Sequence, residues 1–196
     1  MLVQEIMTRQ PTTVSRETPL RHAAQVLVDL QISSLPVLDG HGRLCGVVSE
    51  ADLIRDAFVP DARGHMVQPA PNEAATPTLV EQVMTHHAVT VHEATDLADA
   101  ADLMASAGVK SLPVVDEDGH LRGVVSRSDL VRVRARGDDV IAKDVSTRLV
   151  AMGCPRWSIE VTDGQVEILG PSSVSDQSIA RIVASAVPGV RNVRVR

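Results

Sequence analysis

The chain has 196 residues, of which 44% are hydrophobic and 22% are charged, a balance typical of a globular protein. The net charge of −6 and the presence of only two aromatic residues, Phe58 and Trp157, argue against broad binding of nucleic acids or anionic membranes and against base stacking. The first ten residues lack the pattern of a signal peptide, and no apolar run is long enough to span a membrane. We therefore expect a cytoplasmic protein in which Cys45 and Cys154 are unpaired thiols.

One sequence unit occurs twice, with an offset of 77 residues. When Val3–Arg55 is aligned without gaps to Val80–Arg132, 23 of the 53 positions are identical. Two copies are too few for a solenoid, so the repeat predicts a pseudo-symmetric pair.

Each copy begins with a short Thr-Val strand followed by an amphipathic helix. Thr18 and Thr95 are expected to cap these helices, with Pro19 at the first helical position of the first one. An apolar strand, which is Leu35–Leu38 in the first copy, then turns through Asp and Gly residues into a return strand. Each copy is thus predicted to contain a β-hairpin.

The hairpin of each copy leads into a closing helix with a recognisable start. Ser49 and Ser126 are expected to be the N-caps, with Asp52 and Asp129 three residues further on in the first helical turn. Between the copies, Val59 to Pro77 is rich in proline and polar residues, which predicts a surface linker.

A different pattern begins after Gly137 and predicts the order α-β-β-α-β. The expected elements are a helix at Val140–Met152, strands at Trp157–Val161 and Val166–Ile168 joined by a turn at Thr162–Gly164, a helix at Ser175–Val187 and a strand at Val190–Arg196. The apolar face of the second helix is expected to consist of Ile179, Ile182, Val183 and Ala186.

These motifs resemble two known families. The order Met-Thr, Thr-Val, Ser-Leu-Pro-Val, Asp-x-x-Gly and Gly-Val-Val-Ser-x-x-Asp resembles the cystathionine-β-synthase (CBS) domain, whose copies occur in pairs. The strand pair Val161–Gly170 and the Pro188-Gly189-Val190 motif resemble the BON domain. The resemblance implies an α+β fold with CBS domains at 1–58 and 79–136, a linker at 59–78 and a BON domain at 137–196.

The CBS resemblance also implies ligand sites in the cleft between the copies, where the Ser and Asp of one copy face the early strand and the Ser-x-Pro strand of the other. We call the two predicted groups of residues the Asp129 set and the Asp52 set. The Asp129 set comprises Thr8, Thr12, Ile32, Ser33, Ser126, Arg127 and Asp129, and the Asp52 set comprises Ser49, Asp52, Thr85, Val89, Val109 and Lys110.

The implied ligand is an adenine nucleotide (AMP, ADP or ATP) or S-adenosylmethionine, and the residue types fit that chemistry. A carboxylate such as Asp129 can accept both ribose hydroxyl protons, and a serine at a helix N-terminus suits a phosphate. Lys110 and Arg127 could reach the same phosphates. Two alternatives stay open: Ser-x-x-Asp is also an ordinary helix cap, and Lys110 is also an ordinary surface charge.

The pattern indicates no catalytic residues, no required cofactor and no metal site, since the seven histidines show no ligand spacing. We expect a regulatory, signal-transducing protein that senses an adenosyl ligand, forms a homodimer through its CBS helices and passes the signal to a partner through the BON domain. The alternative is a constitutive scaffold with vestigial clefts. Arg191, Arg194 and Arg196 on the last strand offer a contact for anionic lipid or protein, or simply a solvated strand face.

Overall fold

The computed structural model describes residues 1–55, 77–154 and 157–196. They form two compact units, and each unit takes residues from both copies of the repeat. The hairpin unit holds Thr8–His92 and Ala107–Val124, and the terminal unit holds Met1–Met7, Glu93–Ser106 and Val125–Arg196. The predicted linker at 59–78 lies outside the described residues except at its last two positions.

The described residues contain six α-helices and ten strands. The strands are β1 (Thr8–Arg9), β2 (Val14–Ser15), β3 (Ser34–Leu38), β4 (Leu44–Ser49), β5 (Thr85–His86), β6 (Ser111–Val115), β7 (Leu121–Ser126), β8 (Ser158–Thr162), β9 (Gln165–Leu169) and β10 (Asn192–Val195). The helices are α1 (Leu20–Leu30), α2 (Glu50–Ile54), α3 (Leu97–Ser106), α4 (Arg127–Arg134), α5 (Asp138–Ala151) and α6 (Val174–Ser185).

The hairpin predicted for each copy is present in both. β3 and β4 pair antiparallel, with Ser34 opposite Ser49, inside a four-stranded sheet of order β2-β3-β4-β5. β6 and β7 are neighbours in a three-stranded sheet of order β1-β7-β6. In the first turn, Asp39 accepts hydrogen bonds from the amides of Arg43 and His41, which lower the pKa of its carboxyl. The strand residues Leu35, Val37 and Val48 are fully buried in the core of this unit.

The two copies exchange their leading segments. In the first copy, Leu2 bridges to Asp96 and Thr8 pairs with Val124, both in the second copy. In the second copy, the equivalent Leu79 bridges to Pro19, and Thr85 pairs with Val47. Each copy therefore completes its β-structure with a segment that belongs to the other copy, in the manner of a pseudo-symmetric pair.

The cap of helix α1 differs from the prediction. Pro19 is the N-cap of α1 rather than its first helical residue, and no side chain caps the helix. Thr18 is not the cap, because its Oγ1 accepts from the Ser15 amide and stabilises the preceding turn instead. At α3 the carboxylate of Asp96, the residue before the helix, accepts from the Ala98 amide.

The predicted order α-β-β-α-β is present after residue 137, within the terminal unit. β9 lies between β8, which is antiparallel to it, and β10, which is parallel to it. The β8–β9 turn has φ of 50° at Asp163 and 71° at Gly164, the positive values of a type I′ hairpin. Asp138, at the start of α5, accepts hydrogen bonds from both turn amides, at 2.7 and 2.8 Å.

The buried face of α6 is not the predicted one. Ala180, Ala184 and the following Val187 are fully buried, whereas Ile182 is 71% exposed. Val183 is only partly buried. The small side chains bring the helix backbone close to its neighbours, so hydrophobicity alone points to the wrong face. No helix in the described part of the chain is long and apolar enough to cross a membrane.

Candidate functional site

The Asp52 set lies entirely within the hairpin unit and is built around the end of β4. Ser49 is the N-cap of α2, and its backbone N–H and its hydroxyl both donate to Asp52 Oδ2, at 2.9 and 2.6 Å. The Asp52 amide donates back to Ser49 Oγ at 3.4 Å. Asp52 is only 8% exposed, and its Oδ1 lies 4.0 Å from the guanidinium of Arg55. Among the described residues, the capping box thus occupies Oδ2, and Oδ1 has no hydrogen bond.

Contacts between the copies bring other members of this set to the same region. Lys110 Nζ forms an ion pair of 2.9 Å with Glu50 Oε2 in the first turn of α2. The hydroxyls of the equivalent residues Ser34 and Ser111 meet at 2.6 Å, next to Lys110 in the chain. Thr85 pairs with Val47 on β4, two residues before Ser49.

Two apolar members of the Asp52 set retain exposed surface. Val89 is 39% exposed and Val109 is half-buried. Side chains of this kind can cover the face of a purine ring, so the hairpin unit contains each residue type that an adenosyl ligand would need.

The Asp129 set is divided between the two units. Thr8, Thr12, Ile32 and Ser33 lie in the hairpin unit, and Ser126, Arg127 and Asp129 in the terminal unit. Ser126 and Asp129 form a second capping box, with Ser126 N–H and hydroxyl donating to Asp129 Oδ2 at 2.9 and 2.7 Å. Both capping boxes predicted from the sequence are confirmed.

Two arginines of the second copy are committed to protein contacts. Arg127 donates to the Met104 carbonyl at 3.1 Å, in the last turn of α3. Arg132 donates to Asp129 Oδ1 at 2.9 Å, whereas its counterpart Arg55 stays 4.0 Å from Asp52. Among the described residues, Asp129 Oδ1 therefore accepts a hydrogen bond, whereas Asp52 Oδ1 has only the longer contact with Arg55.

The sequence patterns did not predict the ion pair of Glu50 with Lys110. They also did not predict that Arg55 lies near Asp52, or that its equivalent Arg132 pairs with Asp129. Glu50 differs from its equivalent Arg127 in charge, and the alignment of the copies displays that difference. The two arginines are identical in the repeat and follow the aspartates by three residues, the spacing of helix neighbours.

A cleft of about 600 Å³ lies in the hairpin unit, and none of the predicted site residues is among its lining residues. Its lining includes Arg16, Arg43, Cys45, His86 and His87. The Cys45 thiol donates to the Val37 carbonyl at 3.2 Å and accepts from Arg16 Nε at 3.3 Å. Cys45 and Cys154 are both free thiols, as predicted.

One group of metal-type side chains occurs in the described residues, in the second hairpin turn. Ligand atoms of Asp116, Asp118 and His120 lie within 4.8 Å of one another. Asp116 accepts from the His120 amide and pairs with Arg122 at 2.7 Å, and these contacts lower the pKa of its carboxyl. Asp116 thus accepts hydrogen bonds from the amides of its own turn, as Asp39 does in the first copy.

The C-terminal arginines are partly neutralised by neighbouring acids. Arg191 pairs with Asp163 at 2.9 Å, and Arg196 pairs with Glu167 at 3.0 Å. These pairs reduce the positive charge that the last strand offers to an anionic surface.

Comparison with known proteins gives a match to one family model and to similar sequences. A family model described as CBS domain matches residues 3–58 and 80–136. A CBS domain-containing protein of Dictyostelium discoideum is 33% identical over 134 residues, which cover 67% of this chain and 89% of the relative.

Two solved structures extend the comparison to ligands. The structure of CBSX2, an Arabidopsis thaliana protein, in complex with AMP has 31% identity and a TM-score of 0.54, and covers 67% of this chain and 93% of that chain. The CBS domain pair of protein MJ0100 in complex with 5′-methylthioadenosine and S-adenosyl-L-methionine has 26% identity and a TM-score of 0.56, and covers 68% of this chain and 98% of that chain.

Proposed function

This chain belongs to the CBS domain family, and from that premise we propose that it is a regulatory protein that binds an adenosyl ligand at its CBS pair. The observation that carries the proposal is the buried Asp52 carboxylate, whose Oδ2 is held by Ser49 while Oδ1 remains available. Such an oxygen is suited to accept the hydroxyl protons of a ribose. AMP, 5′-methylthioadenosine and S-adenosyl-L-methionine, which the two solved relatives hold, share that ribose.

The test uses the unmodified chain and varies the ligand. Calorimetry with adenosine, AMP, ADP, ATP and S-adenosylmethionine is expected to give a dissociation constant below 1 mM for one of them, or about −4 kcal/mol or stronger. The 2′-deoxy and 3′-deoxy forms of the best ligand should bind about tenfold more weakly, since hydrogen bonds to charged groups contribute about 1.5–3 kcal/mol. Deoxy forms that bind as well as the parent contradict the ribose contact.

Substituting the aspartates is a less direct test, because each one also caps a helix. Asp52→Ala and Asp129→Ala remove the ribose acceptor and the capping acceptor together. Binding that survives both substitutions would show that other residues hold the ribose.

Regulation requires that the ligand prefer one state of the protein over another. We propose a homodimer formed through the CBS helices, which is supported by their exposed apolar residues Val28 on α1, Ile54 on α2 and Val131 on α4. Sedimentation of the wild-type chain and of Val28→Asp should give a dimer and a weakened dimer respectively. An unchanged mass would place the interface elsewhere.

The region after residue 136 is the proposed relay to a partner. Its α-β-β-α-β order supports the BON resemblance, and the family match to CBS stops at residue 136. Co-sedimentation with vesicles containing anionic lipid, at low salt, tests the lipid contact through Arg194. Absence of pelleting would favour a protein partner or a solvated strand face.

A scaffold with vestigial clefts is the second candidate. It is favoured by one observation: Lys110 and Arg127, the cations proposed to contact phosphate, are both engaged by protein groups. If no adenosyl compound binds below 1 mM, the scaffold replaces the sensor.

A further inference from the structure

We propose that the Asp52 set selects an adenosyl ligand whose 5′ group is neutral or cationic, such as a thioether or sulfonium nucleoside, over a 5′-phosphate. This inference rests on the proposed function and specifies the ligand class of one site. It comes from the hydrogen-bond and charge balance at the start of α2.

Three amide donors and one hydroxyl donor at the start of α2 are already used. The Ser49 amide and hydroxyl both donate to Asp52, the Asp52 amide donates to Ser49 Oγ, and the Glu50 amide donates to the Ser33 carbonyl at 3.0 Å. Helix α2 has only five residues, so its dipole adds little. An incoming phosphate would have to break these bonds.

The charges of this site also oppose a phosphate. Glu50 and Asp52 contribute two negative charges, and Lys110 and Arg55, which lie beside them, contribute two positive charges, so the site has no net positive charge to attract a phosphate. Lys110 Nζ already holds Glu50 at 2.9 Å. A phosphate monoester carries about −1.5 to −2 charges at neutral pH, so it would compete with Glu50 for the lysine and face both carboxylates. A neutral thioether or a sulfonium, in contrast, would not face this repulsion.

The repeat supplies a matched substitution, because the residue equivalent to Glu50 in the second copy is Arg127. Glu50→Arg therefore installs a side chain that the same capping motif already accommodates. It removes the carboxylate, releases Lys110 and changes the local charge balance from zero to +2. Glu117→Arg, at an exposed turn position of the same unit, makes the same change in net charge and serves as the control.

The experiment is calorimetry of the full chain with 5′-methylthioadenosine, S-adenosylmethionine and AMP at low and moderate salt. For Glu50→Arg we expect AMP to bind at least tenfold more tightly than to the wild type, and S-adenosylmethionine at least threefold more weakly. The affinity for methylthioadenosine should change less than threefold, and Glu117→Arg should change none of the three. Circular dichroism of both variants verifies the fold.

The outcomes distinguish a failure of the proposed ligand selectivity from a failure of the proposed adenosyl binding. A ratio of AMP to methylthioadenosine affinity that Glu50→Arg leaves unchanged overturns the selectivity while adenosyl binding stands. An equal shift in Glu117→Arg overturns it as well, because net charge would then be the cause. If neither the wild type nor Glu50→Arg binds any of the three below 1 mM, the adenosyl site itself is refuted.

Discussion

Removing Asp129 should destabilise the protein more than removing the serine that it faces. In Asp129→Ala, the Ser126 amide loses its acceptor at 2.9 Å and the Ser126 hydroxyl loses one at 2.7 Å. A half-buried donor left without a partner costs about 1–3 kcal/mol, and the lost first-turn carboxylate adds about 0.3–1 kcal/mol. We expect a loss of about 2–3 kcal/mol in the free energy of unfolding.

Two neighbouring substitutions set the scale. Ser126→Ala keeps the backbone bond to Asp129 and loses the N-cap acceptor together with the hydroxyl that donates to Asp129, which costs about 1 kcal/mol. Arg132→Ala removes an ion pair whose arginine is 78% exposed, so we expect less than about 1 kcal/mol. The order of cost should be Asp129→Ala, then Ser126→Ala, then Arg132→Ala.

Urea and thermal unfolding of the full chain, followed by far-ultraviolet circular dichroism, measure the three variants against the wild type. If Ser126→Ala costs as much as Asp129→Ala, the carboxylate is not the main acceptor and the assigned roles are reversed. If all three changes are neutral, the capping box does not stabilise the terminal unit.

Three further predictions test other parts of the fold by unfolding measurements. Ile182→Asp should leave the unfolding midpoint within experimental error because Ile182 is 71% exposed, whereas Ala184→Asp buries a charge and should abolish the cooperative transition. Gly164→Ala should destabilise the protein, since a Cβ there would lie 2.7 Å from the Gly189 carbonyl oxygen at φ of 71°; Gly40→Ala, which meets nothing within 4 Å, is the neutral control. The pKa of Asp39 is lowered in the folded state, so its stabilisation is present above about pH 4 and is lost as the pH falls below that range; Asp39→Asn should therefore lose less stability than the wild type between pH 6 and 3.

Local patterns in the sequence predicted the parts of the fold that depend on nearby residues. The hairpins, their Asp-Gly turns and the Ser49 and Ser126 capping boxes each involve residues within a few positions of one another. The Asp163-Gly164 turn is similar, because both residues readily adopt positive φ.

Features that depend on distant contacts were beyond the sequence patterns. The exchange of leading segments pairs Thr8 with Val124 and Thr85 with Val47, and the copies are so alike that their local sequence cannot indicate which copy each segment joins. The ion pair of Lys110 with Glu50 likewise joins residues 60 positions apart. On α6, the close approach of Ala180 and Ala184 outweighed the larger hydrophobicity of Ile182.

Because the copies exchange segments, one polypeptide contains two interlocked copies that are covalently joined. A fragment with only the first copy would lack the segment that pairs with Gly46 and Val47, and would expose an open strand edge. Two such fragments could satisfy each other by trading segments, and their folding would then depend on concentration. Joining the copies in one chain makes that association intramolecular, so the folding of the pair does not depend on protein concentration.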